Sequence, residues 1–325
     1  MIFITGCNGL VGSFVARKLI KEGYQVRALK RHNSDLTLVQ DIAGQIEWVE
    51  GDILDLASLA KAIPGNTTVI HSAAIVSFNP ADRAHMHKIN VEGTANVVNV
   101  CLANGVNKLC HVSSVAALGR KKNDHLISED AKWEYSAYNS YYAQTKYLAE
   151  LEVWRGMAEG LSGFIINPSI ILGPGNWDQG STKLFKYVWD GHAFYTGGSV
   201  NYVDVRDVAQ IIFQLIRSEI TLERFILNGG SIKIKALFEQ IAARFGKKPP
   251  YVEVNSLLAS VAWRLEHMRS LITGKEPLIT RETAQAAQKD YIYMNEKVKQ
   301  TLHYSFHPID DTIAWTCNEL IKHNK

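Results

Sequence analysis

Tyr142-Ala143-Gln144-Thr145-Lys146 places a phenol and an ammonium four residues apart. On a helix that spacing puts both side chains on one face, about one turn apart. A phenol ordinarily ionises near pH ~10, and an adjacent ammonium favours the phenolate and lowers that value. Such a tyrosine can exchange a proton with an alcohol or carbonyl oxygen near neutral pH, which is general acid–base catalysis. Spacing alone carries little weight. With 13 tyrosines in the chain, roughly one such pair arises by chance. Tyr293 and Lys297 form a second copy, whereas Tyr135 and Tyr141 lack a lysine at that distance and Tyr138 has Tyr142 there. The surroundings must decide between the two pairs.

The elements that would position these residues alternate. Short apolar runs at Ile2–Thr5, Val26–Leu29, Ile46–Glu50, Thr68–His71, Lys108–Ser113 and Phe164–Asn167 read as strands. Helical patterns separate them at about Ser13–Glu22, where Gly23 is placed to stop the helix, and around 56–62, 85–104 and 140–159. The strands are apolar and β-branched on both faces, as buried parallel strands should be. Alternation of this kind predicts an α/β fold, a doubly wound parallel sheet with helices on both faces. From about 174 the texture changes to glycines, aromatics and irregular spacing. A further strand and helix follow at 200–217, another strand at Phe225–Leu227, and a mainly helical last hundred residues. The expected organisation is a dinucleotide-binding unit over 1–173, to which 200–230 return. A smaller, mostly helical substrate-binding cap would come from 174–199 and 231–325, since ligands in open α/β sheets bind beyond the carboxyl ends of the strands.

Thr5-Gly6-Cys7-Asn8-Gly9-Leu10-Val11-Gly12 follows the first strand and opens a helix. Glycines let the backbone turn tightly and approach a pyrophosphate, to which the helix N-terminus offers free N–H groups. The strand–loop–helix context makes this a dinucleotide site. This glycine spacing, Gly6, Gly9 and Gly12, resembles that of the short-chain dehydrogenase/reductase superfamily, in particular its extended branch.

The second strand ends in Leu29-Lys30-Arg31-His32, where an NAD site usually carries an acidic residue for the ribose hydroxyls. A guanidinium can grip a 2′-phosphate through bidentate bonds. The expected cofactor is therefore NADP(H), with Arg31 as the main contact and NAD as the alternative. In the resembling family the aspartate of Gly51-Asp52-Ile53 bonds the adenine amino group. The small residues Ala73 and Ala74, after the fourth strand, let the backbone lie close to the nucleotide.

The fifth strand ends in His111-Val112-Ser113-Ser114-Val115. The resemblance implies that Ser114 hydrogen-bonds the substrate oxygen, with Ser113 the alternative serine, and that Lys146 also reaches the nicotinamide ribose. It implies further that Asn90 supports the site from a neighbouring helix, although a bare Asn90 more often serves as a structural hydrogen bonder. Asn167-Pro168-Ser169 and Gly173-Pro174-Gly175 also match the family, where the backbone near the proline meets the nicotinamide carboxamide. Tyr202-Val203-Asp204-Val205-Arg206-Asp207-Val208-Ala209 looks like the family's downstream signature and reads as structural, an acidic helix start with a buried partner. Tyr293/Lys297 reads as surface helix packing.

The group most resembled contains the dihydroflavonol-reductase-like and 3β-hydroxysteroid-dehydrogenase-like enzymes. That implies an NADP-dependent oxidoreductase moving a hydride between the nicotinamide and a small-molecule carbonyl or secondary alcohol, with Tyr142 as general acid/base. The competing readings are a nucleotide-sugar epimerase with bound NAD and a non-catalytic dinucleotide sensor. The basic end of the second strand opposes the first, and retention of both Tyr142 and Lys146 opposes the second. The aromatics Phe78, Trp133, Trp177, Phe185 and Trp189 are the candidates for an apolar pocket wall or, as aromatics more often are, core.

The bulk numbers agree with a soluble enzyme. The chain has 325 residues, 46% hydrophobic and 21% charged, and a net charge of +3, which gives no reason to expect a nucleic-acid partner. Cys7, Cys101, Cys110 and Cys317 have no metal or redox spacing and are expected as reduced structural thiols. No run approaches the ~18 apolar residues of a membrane span. The chain starts straight into an apolar strand without a leader, so the expected location is the cytoplasm. Family resemblance also implies a homodimer through the helices around 85–104 and 140–159.

Overall fold

In a computed structural model the described residues are 1–121, 125–136, 138–254 and 291–322. Residues 255–290 of the expected helical cap therefore lie outside them. Seven parallel strands form the central sheet: β1 (Ile2–Thr5), β2 (Val26–Lys30), β3 (Ile46–Glu50), β4 (Thr68–His71), β5 (Lys108–Val112), β7 (Gly163–Pro168) and β11 (Glu223–Leu227). Their order is β11-β7-β5-β4-β1-β2-β3. Every pairing is parallel. The order reverses between β1 and β4, so the ligand crevice of such a sheet opens at the carboxyl ends of these two strands.

Two apolar layers hold the sheet. On one face α1 (Leu10–Lys21) and α7 (Val205–Arg217) pack Val15, Leu19, Val208 and Ile212 over Ile4, Ala28 and Phe164. On the other, α2 (Leu56–Ala62), α4 (Gly93–Ala103) and α5 (Tyr141–Ala158) cover Phe3, Val69, Leu109 and Ile165. Strands apolar on both faces are thus buried on both faces, and each fully buried side chain of this size contributes about 1.5–3 kcal/mol. The pattern at 85–104 divides into α3 (Arg83–His87), a π-helical turn Lys88–Glu92 and α4. Such turns widen the helix by one residue and are frequent at functional sites; this one carries Asn90. The first helix begins at Leu10 rather than Ser13 because Gly9, extended at φ −87° and ψ 173°, already caps it. Part of the glycine loop is therefore the first helical turn.

Beyond the central sheet, β8 (Ile170–Leu172), β10 (Ser199–Asp204) and β12 (Gly230–Lys233) form a three-stranded sheet, with β9 (Phe194–Thr196) pairing β13 (Val252–Val254) nearby. A third apolar cluster joins α6 (Thr182–Trp189), α8 (Ile234–Phe245) and the helix Ile309–Lys322. Phe185 is fully buried in it, and Trp177 and Trp189 pack on Phe245 at centroid distances of 6.0 and 5.1 Å. These three aromatics are core. The signature at 202–209 is structural, as expected. Asp204 caps α7 through the Arg206 N–H (2.7 Å) and accepts from Thr312 (2.8 Å), while Asp207 accepts from Tyr304 (2.8 Å) and from the His307 N–H (3.0 Å).

The second Tyr/Lys pair is not a helical pair. Tyr293 lies in β14 (Ile292–Tyr293), paired with β6 (Leu126–Ile127), and is buried; Lys297 belongs to the helix Glu296–Leu302. The expectation of surface helix packing fails because strand pairing and a half-buried guanidinium hold the tyrosine: Arg120 Nε donates to its phenol at 3.1 Å. All four cysteines are buried and free. Among the described residues no helix is long and apolar enough to cross a membrane, and no cluster of His, Cys, Asp and Glu could hold a metal.

Candidate active site

The glycine loop leaves room where a phosphate would need it. A Cβ on Gly6 would sit 2.7 Å from the Ala73 nitrogen, and Gly6 has φ +70°, a conformation other residues rarely adopt. A Cβ on Gly12 would stand 2.2 Å from the Gly6 carbonyl oxygen, so only glycine lets the loop fold onto α1. Gly9 caps the helix without a side-chain bond, and no acidic residue occupies the first turn. The N–H groups of Leu10, Val11 and Gly12 then face outward with the positive end of the helix dipole. This cradle fits a dinucleotide pyrophosphate.

Around the cradle, side chains brace more than they display. Thr5 Oγ1 is buried against His71 Nδ1 at 2.7 Å, and Asn8 donates to the Asp35 carbonyl at 3.0 Å. Both therefore shape the loop and leave its ligand-facing edge to backbone. Arg31 is exposed at the tip of a tight turn in which its N–H bonds Ser34 Oγ (2.9 Å). Among the described residues its guanidinium has no hydrogen bond or ion pair. Lys30 stands in register with Glu50, which meets His32 Nδ1 at 3.2 Å, so a carboxylate does occur near this end, from the neighbouring strand. Asp52 Oδ1 accepts from the Leu54 N–H (2.9 Å), and buried Ile53 packs against Gly93, its carbonyl held by Asn96 (3.0 Å). Ala73 and Ala74 follow β4, Ala74 exposed. Pro168 ends β7, while the Ser169 N–H bonds the Leu227 carbonyl at 3.0 Å.

At the reacting end β5 stops at Val112, and Ser114 caps a short 3-10 turn by accepting from the Ala116 N–H at 3.2 Å. Helix α5 starts at Ser140, whose hydroxyl accepts from the Ala143 N–H at 3.0 Å. This cap sets Tyr142 and Lys146 on the helix side that meets the β5 end. The Tyr142 phenol lies beside Ser114, whose hydroxyl favours its ionised form. Lys146 is 2% exposed, and its Nζ donates to the Val112 carbonyl at 3.0 Å. Serine, tyrosine and lysine therefore converge. Ser113, the other candidate, is buried and has no such contact with the tyrosine.

The protonation states differ from what spacing implies. Tyr142 is half-buried. Desolvation by its neighbours pushes the phenol up to about 12, and Ser114 beside it only partly opposes this. The lysine does not lower it, because the ammonium is engaged with a backbone carbonyl and is itself brought down to about 8, mainly by burial, against the attraction of Glu150. The phenol is thus a proton donor across the neutral range.

Asn90 is buried and fully used. Its amide brackets the Ile75 N–H (2.8 Å) and carbonyl (2.9 Å) and donates to Thr145 Oγ1 at 3.0 Å, while Thr145 bonds the Tyr142 carbonyl at 2.8 Å. It acts on the site through the backbone of the tyrosine helix. Three participants escaped the sequence reading: His71, which bridges Thr5 and Thr94 (3.0 Å to Thr94 Oγ1), Asn167, which donates to the Ser114 carbonyl at 2.9 Å, and Glu150. Their only signal was polarity inside otherwise apolar periodic segments. Of the aromatics, Phe78 meets the Tyr142 ring edge-on at 6.2 Å and is 37% exposed, whereas Trp133 stacks on Tyr147 at 4.6 Å. Of the five, Phe78 is the one whose ring meets Tyr142 among the described residues.

The model of the NAD dependent epimerase/dehydratase family matches residues 2–225. A Synechocystis protein provisionally named dihydroflavonol 4-reductase is 29% identical over 92% of this chain and 88% of its own length. A Mycolicibacterium neoaurum 3-beta-hydroxysteroid dehydrogenase is 25% identical over 93% and 86%. Among solved structures, that of gox2253 superposes with a TM-score of 0.84 at 30% identity, covering 99% of this chain and 98% of the other.

Proposed function

Because the chain belongs to the NAD dependent epimerase/dehydratase family, as an enzyme acting on C=O or CH–OH groups, we propose that it is an NADPH-dependent reductase of a small-molecule carbonyl. The observation that carries this reading is the convergence of Ser114, Tyr142 and Lys146 at the carboxyl edge of the sheet that also bears the glycine cradle. In this reading residues 1–173 and 200–230 bind the dinucleotide, and 174–199 with 231–325 cap the substrate. The backbone of Gly6, Gly9, Leu10, Val11 and Gly12 holds the pyrophosphate, Arg31 the 2′-phosphate, Asp52 and Ile53 the adenine, and Ala73, Ala74, Pro168 and Ser169 the nicotinamide half.

When bound, the dinucleotide supplies a hydride equivalent to the carbonyl carbon. The protein does the rest. Ser114 donates to the carbonyl oxygen and orients it. Tyr142, protonated well above neutrality, delivers its proton to that oxygen as negative charge develops there. Lys146, a turn away, offsets the charge left on the phenolate and contacts the nicotinamide ribose. Phe78 covers the tyrosine from the solvent side and favours an apolar group beside the carbonyl. Its edge contact with Tyr142 supports that placement. The test is turnover on a broad panel of aldehydes and ketones with NADPH and with NADH. The reading expects oxidation of NADPH with a clear preference over NADH. Dinucleotide binding without any turnover would favour a sensor instead.

A further inference from the structure

Glu150 sits one turn beyond Lys146 on α5 and is 1% exposed. A carboxylate is almost never buried so completely unless it is paired. This one touches three elements. Asn167 of β7 donates to Oε1 at 2.5 Å, and the same amide nitrogen donates to the Ser114 carbonyl at 2.9 Å. Arg224 of β11 lies 3.4 Å from Oε2 and also donates to the carbonyls of Glu129 and Ala131. Burial raises the Glu150 carboxyl above its usual range, and the Ser113 hydroxyl beside it, Arg224, Asn167 and Lys146 oppose that rise and favour the charged form. Glu150 therefore joins the tyrosine helix to the ends of β5, β7 and β11, directly behind the two groups assigned to proton transfer.

We propose that Glu150 is a positioning residue of the reaction: its buried carboxylate, held by Asn167 and Arg224, keeps Lys146 charged and fixes Ser114 through the shared Asn167 amide. This rests on the reading of Tyr142 and Lys146 as the proton-transfer pair. The charged neighbours are few. Lys146 faces Glu150 on its own helix, Tyr142 a turn earlier, and His71 and His111 on β4 and β5, both kept neutral by burial and by Lys146 itself. Glu150 faces Lys146 and Arg224. With both histidines neutral, Glu150 is, among the described residues, the anion that supports the ammonium, and its attraction opposes the fall that burial imposes on Lys146.

The test is the pH profile of kcat for carbonyl reduction in Glu150→Gln and Arg224→Gln, with folding checked by circular dichroism and NADPH binding by fluorescence. Removing the anion should move the high-pH limb down by about one pH unit, and removing the arginine that holds the carboxylate charged should move it in the same direction by less. KM for the substrate should stay within about twofold in both, because neither side chain is assigned to the substrate. Glu150→Asp should restore the limb in part. Downward shifts in both variants, the larger in Glu150→Gln, support the proposal. Unmoved limbs, or an upward shift in either variant, overturn it. If one variant fails to fold, the sign in the other decides. Misfolding of both reduces Glu150 to a structural brace and also overturns it. Tyr142→Phe separates the premise: if that variant turns over normally, the proton-transfer reading fails whatever the limbs do.

Discussion

Tyr142 and Lys146 lie one turn apart on α5, whereas Tyr293 sits in β14 and Lys297 in the helix that follows. The spacing is identical and the surroundings are opposite. Tyr142 lies beside a serine at the end of a central strand, and its lysine is buried against that strand's last carbonyl. Tyr293 accepts from Arg120 Nε at 3.1 Å, its backbone carbonyl accepts from Asn228 at 2.9 Å, and Lys297 pairs with Glu223 at 2.5 Å over the Phe225 ring. An i+4 relation puts two side chains on one face only if a single helix carries both. Where a strand intervenes, the same spacing makes two unrelated contacts, one a buried brace and the other a surface ion pair.

The sharpest way to break this contrast is to remove one hydroxyl from each tyrosine. Tyr142→Phe should lose about 10²-fold or more in turnover, the scale of a positioned acid, while keeping its melting temperature and NADPH binding. Tyr293→Phe should turn over normally. Normal activity in the first and loss in the second would reverse the assignment. Next in size is the cofactor contact. Arg31→Ser should weaken NADPH use by about tenfold or more, the worth of one charge-assisted contact, and leave kcat/KM with NADH nearly unchanged. An equal loss with both cofactors would remove Arg31 from the 2′-phosphate.

Proton bookkeeping separates the pairs again. Lys146 carries its charge below about 8 and loses it as pH rises through that value, while Tyr142 keeps its proton until about 12. Carbonyl reduction at saturating substrate should therefore fall as pH rises through about 8, a limb set by the lysine rather than the phenol. Lys297→Ala should leave that limb in place, and a limb that moved with it would end the distinction.

Much of this was readable in the chain because the signals are local. The glycine loop, the alternating strands and the α5 pair each lie within one element, and boundaries such as those of α2 and β1 came out as expected. The helix start at Leu10 and the π turn around Asn90 did not, since both depend on a backbone detour that leaves no periodic trace. The protonation of Tyr142 was misjudged for a related reason. Spacing reports who is near, while burial and the partner Lys146 chooses are set by Val112, on a strand far away in sequence. The contacts of Asn167, Glu150 and Arg224 were missed on the same ground: the three lie on different elements, and only the sheet order brings them together.

The smallest effects belong to the second pair and concern stability alone. Arg120 is half-buried against the buried rings of Tyr291 and Tyr293, so removing the Tyr293 hydroxyl leaves its Nε–H without that acceptor. Tyr293→Phe should therefore cost about 1–3 kcal/mol. Lys297 and Glu223 keep side-chain exposures of 34% and 47%, and an ion pair so well solvated is worth at most about 1 kcal/mol and fades with salt. Lys297→Ala should shift the urea midpoint little, and that shift should shrink further in high salt, whereas the Tyr293→Phe shift should persist. If instead the two substitutions lost equal stability with equal salt dependence, the pair would be acting as one unit, and the distinction between brace and surface pair would collapse.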